Sequence, residues 1–357
     1  MIWIATCIFV FLLSAILTGG FASWFKKKGI IDLPNERSSH VNPTPRGGGA
    51  AIVIALMAGY AALNAAGWAA GLSFDLPGPL FWTGFLLIAA VGFIDDRVSL
   101  PPYLRFGLHF IAASLVYYET GGLGAFPLPK PFAFELGAGL NYALTVFWII
   151  AVLNIYNFLD GIDGYAGSQA IVAGLSMAAL DYNGAGFLAG VLVVSAAAGF
   201  LIYNWRPARI FMGDVGSAAL GFLLACAPLY YSHIEKNVGI FSMGIFLWFF
   251  LSDGAFTILR RLLKGEKIWV AHRSHLYQRL AIAGFSHDKV TVWVMSAAIL
   301  LNAVFLILYF VKPDLMIGIL ALAGIDYGVY HYCVKKAQRR GLMETEIALT
   351  KERKAAV

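Results

Sequence analysis

Long apolar runs broken by short polar loops set the pattern of this chain. Segments such as Ile2 to Trp24 and Ile240 to Leu259 exceed the roughly 18 apolar residues that mark a membrane-spanning helix. Eleven spans are predicted: 2–24, 48–70, 78–94, 102–118, 140–157, 167–181, 184–203, 215–231, 238–259, 290–311 and 314–333. The first does not read as a cleaved signal peptide, because no basic residue precedes it and Lys26-Lys27-Lys28 follows it. The predicted architecture is all-α, a polytopic integral membrane protein. Residues 1–334 form one transmembrane domain with polar loops, and 335–357 form a mixed-charge tail, read as a short helix or an irregular end.

Composition agrees with the pattern. The chain is 60% hydrophobic and 13% charged, with a mean hydropathy of +0.74, whereas soluble domains carry about 25% charged residues. Lysine and arginine then orient the spans. The stretch 25–47 holds five, 95–105 two, 204–213 two, 260–289 seven and the tail seven, so 23 of 26 fall on one face. Only Lys130, Lys236 and Lys312 lie on the other. The rich face is cytoplasmic by the positive-inside rule, which puts the N-terminus outside and the C-terminus inside. The net charge of +6 is thereby an anchor against the cytoplasmic leaflet and an attraction for anionic substrates. Dispersed basic residues with no binding module argue against nucleic acid. Cys7, Cys226 and Cys333 have neither disulfide nor metal-ligand spacing.

The acidic residues played no part in that orientation, yet they gather on the same face. Asp95 and Asp96 end the third span, Asp160 and Asp163 follow the fifth, and Asp214 opens the eighth. Carboxylates at one depth repel unless cations offset them, and hard oxygen donors suit Mg²⁺ or Mn²⁺ with substrate phosphates. Asn157, Asp160 and Asp163 recur every three residues, which one helical turn would align; Asp214 by itself would also serve as a helix cap. The loop Asn204 to Ser217 adds Arg206, Arg209 and glycines. The segment Arg37 to Gly49, with Arg46, suits a phosphate cradle, although its glycines suit helix packing equally. Arg105 reads as a phosphate contact or a snorkelling anchor. His272-Arg273-Ser274-His275 puts two imidazoles and a guanidinium within four residues, which suits a pyrophosphate. Asp253 lies inside the ninth span, where an ionisable group is a functional candidate unless it pairs with a polar helix end.

In this order, Pro43 to Gly49, Asp95-Asp96, Asn157-x-x-Asp160-Gly-Ile-Asp163-Gly, Asn204 to Ser217 and His272 to His275 resemble the polyprenyl-phosphate N-acetylhexosamine-1-phosphate transferases. The resemblance implies a catalytic transmembrane domain that moves an N-acetylhexosamine 1-phosphate from a UDP-sugar to undecaprenyl phosphate and releases UMP. That would be the first membrane step of O-antigen or related envelope polysaccharide synthesis, at the cytoplasmic face of the inner membrane. It implies Mg²⁺, with Mn²⁺ as the alternative, on Asp214 and Asp163. Catalytic roles fall on Asp95, Asp96, Asp160, Asp163, His272 and His275. Substrate contacts fall on Asn157, Asn204, Arg46, Arg105, Arg273 and Phe211, the last stacking on uracil. Direct attack by the lipid phosphate and a covalent aspartyl-phosphate route both fit, and a homodimer is compatible. Ser99 stands where some relatives carry a third acid, and the His-Arg-Ser-His order departs from the consecutive histidines of the peptidoglycan enzyme. The histidine order argues against a muramyl-pentapeptide substrate, and the pattern resembles more closely the transferases that use UDP-N-acetylglucosamine or a UDP-linked deoxy-N-acetylhexosamine. The alternative from another class is a secondary transporter for an anionic sugar or nucleotide, whose site would lie near the midplane within inverted repeats.

Overall fold

The computed structural model describes residues 2–33, 42–71, 77–231, 233–266 and 273–355, with side chains described as far as 341. It is helical almost throughout: α1 (Ile2–Lys28), α2 (Gly49–Ala70), α3 (Pro79–Asp95), α4 (Pro102–Thr120), α5 (Ala138–Phe158), α6 (Tyr165–Leu180) and α7 (Ala185–Asn204). There follow α8 (Asp214–Cys226), α9 (Lys236–Phe246), α10 (Trp248–Leu263), α11 (Leu276–Ile282), α12 (His287–Val311) and α13 (Ile319–Ala355). Among the described residues the strands are β1 (Ile31–Asp32) and β2 (Thr44–Pro45), an antiparallel pair between α1 and α2.

Every predicted span coincides with helix. Among the described residues six helical segments are long and apolar enough to cross a membrane: α1, α2, α5, α7, α12 and Pro313–Gly341, which contains the start of α13. The others are shorter (α3, α6, and α8 with the turn after it) or, like α4, more polar. The predicted ninth span, 238–259, needs correction, because α9 and α10 meet at Leu247 with a 79° bend. Leu247 leaves helical geometry at φ −104° and ψ 14°. The side-chain amide of Gln169 donates to the carbonyl of Phe246 at 2.9 Å, and the Trp248 indole N–H donates to Ala323 at 2.9 Å. Backbone breaks in apolar surroundings persist where other groups satisfy what the break leaves open. At the far end, α13 runs past 334 into the tail as continuous helix.

The centre of the bundle is α8, in which every residue from Val215 to Cys226 is buried. It packs between α3 and α5, while α6 and α7 pair through faces of alanine and glycine. Small residues let helix backbones approach where no hydrophobic effect drives them together. The limit is reached between α2 and α8, where a Cβ on Gly49 would stand 2.2 Å from the Gly216 Cα. Buried helix starts also need partners for their free N–H groups. Glu119, at the end of α4, accepts from the N–H groups of Gly78, Leu80 and Phe81 at 3.0, 2.7 and 3.3 Å and so caps α3. Asp181 accepts from Gly186 at 2.8 Å in the first turn of α7.

The Gly49 contact is backbone on backbone and has no side chain to give way. Gly49→Ala is therefore expected to cost about 1–3 kcal/mol, read as a lower unfolding temperature of the purified protein in detergent. Gly20→Ala, where an added Cβ meets nothing within 4 Å, is expected to leave that temperature unchanged or raised.

Candidate active site

The loop before α8 and the turn before α2 are held as a pair. Phe211 N–H donates to Pro45 at 2.8 Å, Gly47 and Gly48 donate back to Phe211 at 3.2 and 2.9 Å, and Gly49 donates to Met212 at 2.8 Å. Arg46 and Phe211 thereby become neighbours despite their distance in sequence. Gly213 then takes φ +73°, a value that only glycine adopts freely, and a Cβ there would meet the Asp96 carboxylate at 2.5 Å.

Asp96 is the cap of α8. Its Oδ1 accepts the Asp214 N–H at 2.8 Å and its Oδ2 accepts the Val215 N–H at 3.2 Å. Two N–H groups of a buried helix start are satisfied from 118 residues away. Asp214, which the sequence offered as a cap in its own right, has its carboxylate free for other partners. Arg46 bridges the two acids, with Nε 2.8 Å from Asp96 Oδ1 and Nη2 2.6 Å from Asp214 Oδ1. Arg105 reaches Asp95 Oδ2 at 2.7 Å and Asp214 Oδ2 at 3.7 Å. Asp95 and Asp214 thus flank one guanidinium, that of Arg105. Asn157 donates to Asp214 Oδ2 at 3.4 Å and is itself oriented by the Ser217 hydroxyl at 2.7 Å.

Electrostatics follow from this crowding. Burial opposes the charge of Arg46, but Asp214, Asp96 and Asp32 outweigh it and hold the guanidinium charged. Burial pushes the Asp96 carboxyl above the usual carboxylate range despite Arg46. Asp160 faces Arg46, Asp214, Asp96 and Asp163, and burial pushes its carboxyl up to about 7.

Asp163 belongs to a second cluster. Its Oδ2 accepts the Ala208 N–H at 3.2 Å, and its Oδ1 lies 3.4 Å from Nδ1 of His287. Asn204 is buried and braces the same region from below, accepting from Gly164 N–H at 3.1 Å and donating to the Ile210 carbonyl at 3.0 Å. Both ends of that side chain go to backbone, so it locks the loop 204–213 to the turn 159–164. Sequence alone assigns no role to His287 or Ser217. Ser217 stood inside the motif, whereas a lone histidine opening a helix gives no signal of its own.

The histidine loop is arranged differently again. His272 lies outside the described residues, as does the stretch from Arg37 to Val41. His275 is 2% exposed and turns inward onto Asp253, which is fully buried, at 3.2 Å. Asp253 also accepts the N–H groups of Leu276 and Tyr277 at 2.9 and 3.3 Å, so the acid inside the ninth span pairs with the polar start of α11. Tyr277 stacks on Tyr165 at 5.0 Å, and Tyr165 on Phe250 at 4.8 Å, which seats the histidine loop against the Asp160 turn. Arg273 and Phe211 are half-buried on the two loops that flank this region.

Among the described residues no three His, Cys, Asp or Glu side chains are grouped to hold a metal ion by themselves. The donors around Asp214 still fit a hard cation, because Mg²⁺ takes one or two carboxylates and completes its shell with water and phosphate oxygens.

The sequence that builds this site has known relatives. A family model described as glycosyl transferase family 4 matches residues 79–232, which contain Asp95, Asp96, Asn157, Asp160, Asp163, Asn204, Phe211 and Asp214. A probable undecaprenyl-phosphate N-acetylglucosaminyl 1-phosphate transferase of Bacillus subtilis is 32% identical over 73% of this chain and 72% of its own length. A decaprenyl-phosphate N-acetylglucosaminephosphotransferase of Mycobacterium tuberculosis is 28% identical over 77% of this chain and 74% of its own. An undecaprenyl-phosphate alpha-N-acetylglucosaminyl 1-phosphate transferase of Yersinia pestis is 27% identical over 88% and 86%. With a match of that identity and coverage, the chain belongs to glycosyl transferase family 4 and is a membrane-embedded transferase.

Proposed function

We propose that this transferase moves an N-acetylhexosamine 1-phosphate from a UDP-sugar to undecaprenyl phosphate, releasing UMP. One observation carries the reading: Arg46, Arg105, Asp95, Asp96 and Asn157 converge from four segments on Asp214 at the buried start of α8. N-acetylglucosamine is the preferred sugar, because it is the one named for all three relatives. The product would open the synthesis of an envelope polysaccharide, O-antigen or a related polymer. On this reading the site would lie at the cytoplasmic face of the inner membrane, with eleven crossings if the bent α9–α10 pair counts as one. The N-terminus is outside and the C-terminus inside, a reading supported by the lysine and arginine distribution. An enzyme family leaves no support for the transporter alternative.

In the proposed reaction a lipid phosphate oxygen attacks the β-phosphorus, the bond to UMP breaks, and UMP leaves. Such transfers depend on alignment and on neutralising charge around phosphorus. Arg46 and Arg105 stand where phosphate charge would collect. Asp95 would take the proton of the lipid phosphate. Asp214 would hold Mg²⁺, or Mn²⁺ in its place, and the bound cation would offset charge on the phosphates. Asp163, expected as a second ligand, is held by the backbone N–H of Ala208 and by His287, whereas the oxygens of Asp214 meet only the side chains of Arg46, Arg105 and Asn157, which a bound cation and phosphates could draw away. Asp214 is therefore the proposed principal ligand. Asn157 and Asp160 would face the nucleotide, Phe211 would stack on uracil, and Asn204 would brace the pocket from behind. Arg273 and His272 would meet pyrophosphate or sugar, and His275, held by Asp253, would anchor their loop.

Purified protein with undecaprenyl phosphate, Mg²⁺ and a panel of UDP-sugars is expected to form UMP with at least one donor. Failure with every donor and every polyprenyl phosphate overturns the reading. Asp214→Ala is expected to lower turnover by about 10²–10³-fold, the usual range for a charge-stabilising group, with the fold retained; retained activity rejects the metal role. Asp96→Ala should lose activity and also stability, by about 1–3 kcal/mol, since it leaves two buried N–H groups unpaired, whereas Asp95→Asn should lose activity with little change in unfolding temperature. The raised Asp160 carboxyl (about 7) has a signed consequence. A folded-state value above the unfolded one favours folding at low pH, and that contribution is lost as pH rises through 7. Without divalent cation, Asp160→Asn should therefore be more stable than wild type at pH 8 and no more stable at pH 4, measured by thermal unfolding.

A further inference from the structure

The start of α12 grips the Asp163 turn from outside the motif region. Nδ1 of His287, the first residue of α12, lies 3.4 Å from the Asp163 N–H and 3.4 Å from its Oδ1. One turn further on, the Thr291 hydroxyl donates to the Asp163 carbonyl at 3.3 Å. Residues four apart share one face of a helix, so a single face of α12 meets the N–H, the carboxylate and the carbonyl of one residue. Thr291 is buried, and the side chains of His287 and Asp163 are only 13% and 12% exposed. On the other flank Asp163 takes the Ala208 N–H, and Arg206 of that same loop pairs with Asp288 of α12 at 3.5 Å. Three segments therefore meet at Asp163: the α5–α6 turn, the α7–α8 loop and the head of α12.

We infer that His287 is a positioning residue: through Asp163 it holds the α5–α6 turn in register with the loop carrying Phe211, and so sets affinity for the nucleotide without entering the phosphoryl transfer. Its chemistry suits the task. A bare Nδ1 accepts the Asp163 N–H, and a protonated Nδ1 donates to the carboxylate, so the ring has a partner in either tautomer. Both contacts reach Asp163, and none of the contacts of His287 reaches Asp214, where the charge of the reaction is placed. An asparagine offers an oxygen and an N–H at nearly the same reach as Nδ1, and an alanine offers neither. The inference rests on the nucleotide-sugar reading above, and its test separates the two.

Full-length His287→Ala, His287→Asn and wild type would be compared in two ways, with unfolding temperatures recorded for each. The first is UMP formation against UDP-N-acetylglucosamine concentration at saturating undecaprenyl phosphate; the second is equilibrium binding of UMP alone. The expected result for His287→Ala is a KM for the UDP-sugar raised about 10-fold, a kcat within about 3-fold of wild type, and UMP binding weakened in proportion. His287→Asn is expected to return KM and UMP affinity to within about 3-fold. An unchanged KM, a fall in kcat alone, or equal loss in the alanine and asparagine variants overturns the inference. A wild type that turns over no UDP-sugar overturns the function proposed above, and UMP binding then judges His287 separately: weaker binding by the alanine variant supports it, equal affinity overturns it. A wild type that binds no UMP overturns both.

Discussion

The structure turns on one carboxylate, that of Asp96, laid against the amino end of α8. α8 is buried from Val215 to Cys226, so the N–H groups of its first turn need partners from the protein. Asp96 meets two of them and so fixes the end of α3 to the start of α8. Arg46 then joins Asp96 to Asp214 and brings the β2–α2 turn to the same point. Two arginines among four neighbouring acids keep like charges from driving the segments apart. The same device recurs at Glu119 on α3, Asp181 on α7 and Asp253 on α11. In an apolar bundle, a carboxylate on a helix start answers an orphaned donor and a positive dipole end together.

That arrangement divides work among acids that look alike in sequence. Asp96 is occupied by backbone donors, while Asp214 meets only side chains and remains available to a ligand. Asp163 is held by two other segments, the α7–α8 loop and the head of α12, and reads as a joint, whereas Asp160 carries a burial penalty with no direct hydrogen-bond partner to offset it among the contacts described. That cost falls among the charges of Arg46, Asp96, Asp163 and Asp214, which makes Asp160 a candidate for chemistry.

The residues that gave the family its resemblance were legible because they are short, ordered and local: Asp95-Asp96, Asn157 to Gly164, and Asn204 to Ser217. Counting lysines and arginines leads to the expectation that they share one face, and the structure brings Asp95, Asp96, Asn157 and Asp214 into contact with common partners. Harder to read were the break at Leu247, which depends on Gln169 reaching a carbonyl 77 residues away, and the inward turn of His275 onto Asp253. His287 was silent, because an isolated histidine at a helix start is ordinary until its neighbour is known.

The sequence by itself determined the class of the protein, the approximate positions of its helices and most of the polar groups that meet around the start of α8. Hydropathy and charge add up along the chain, so they can be read without knowing what touches what. Only the tertiary structure decided which carboxylate caps, which stays open and which joins, because each choice rests on one donor meeting one acceptor across a large separation. Asp96 meets Asp214 across 118 residues, Asp163 meets His287 across 124, and Arg46 meets Asp214 across 168. No local pattern encodes such a meeting; it is settled by how the helices pack and by the cost of leaving a buried polar group without a partner.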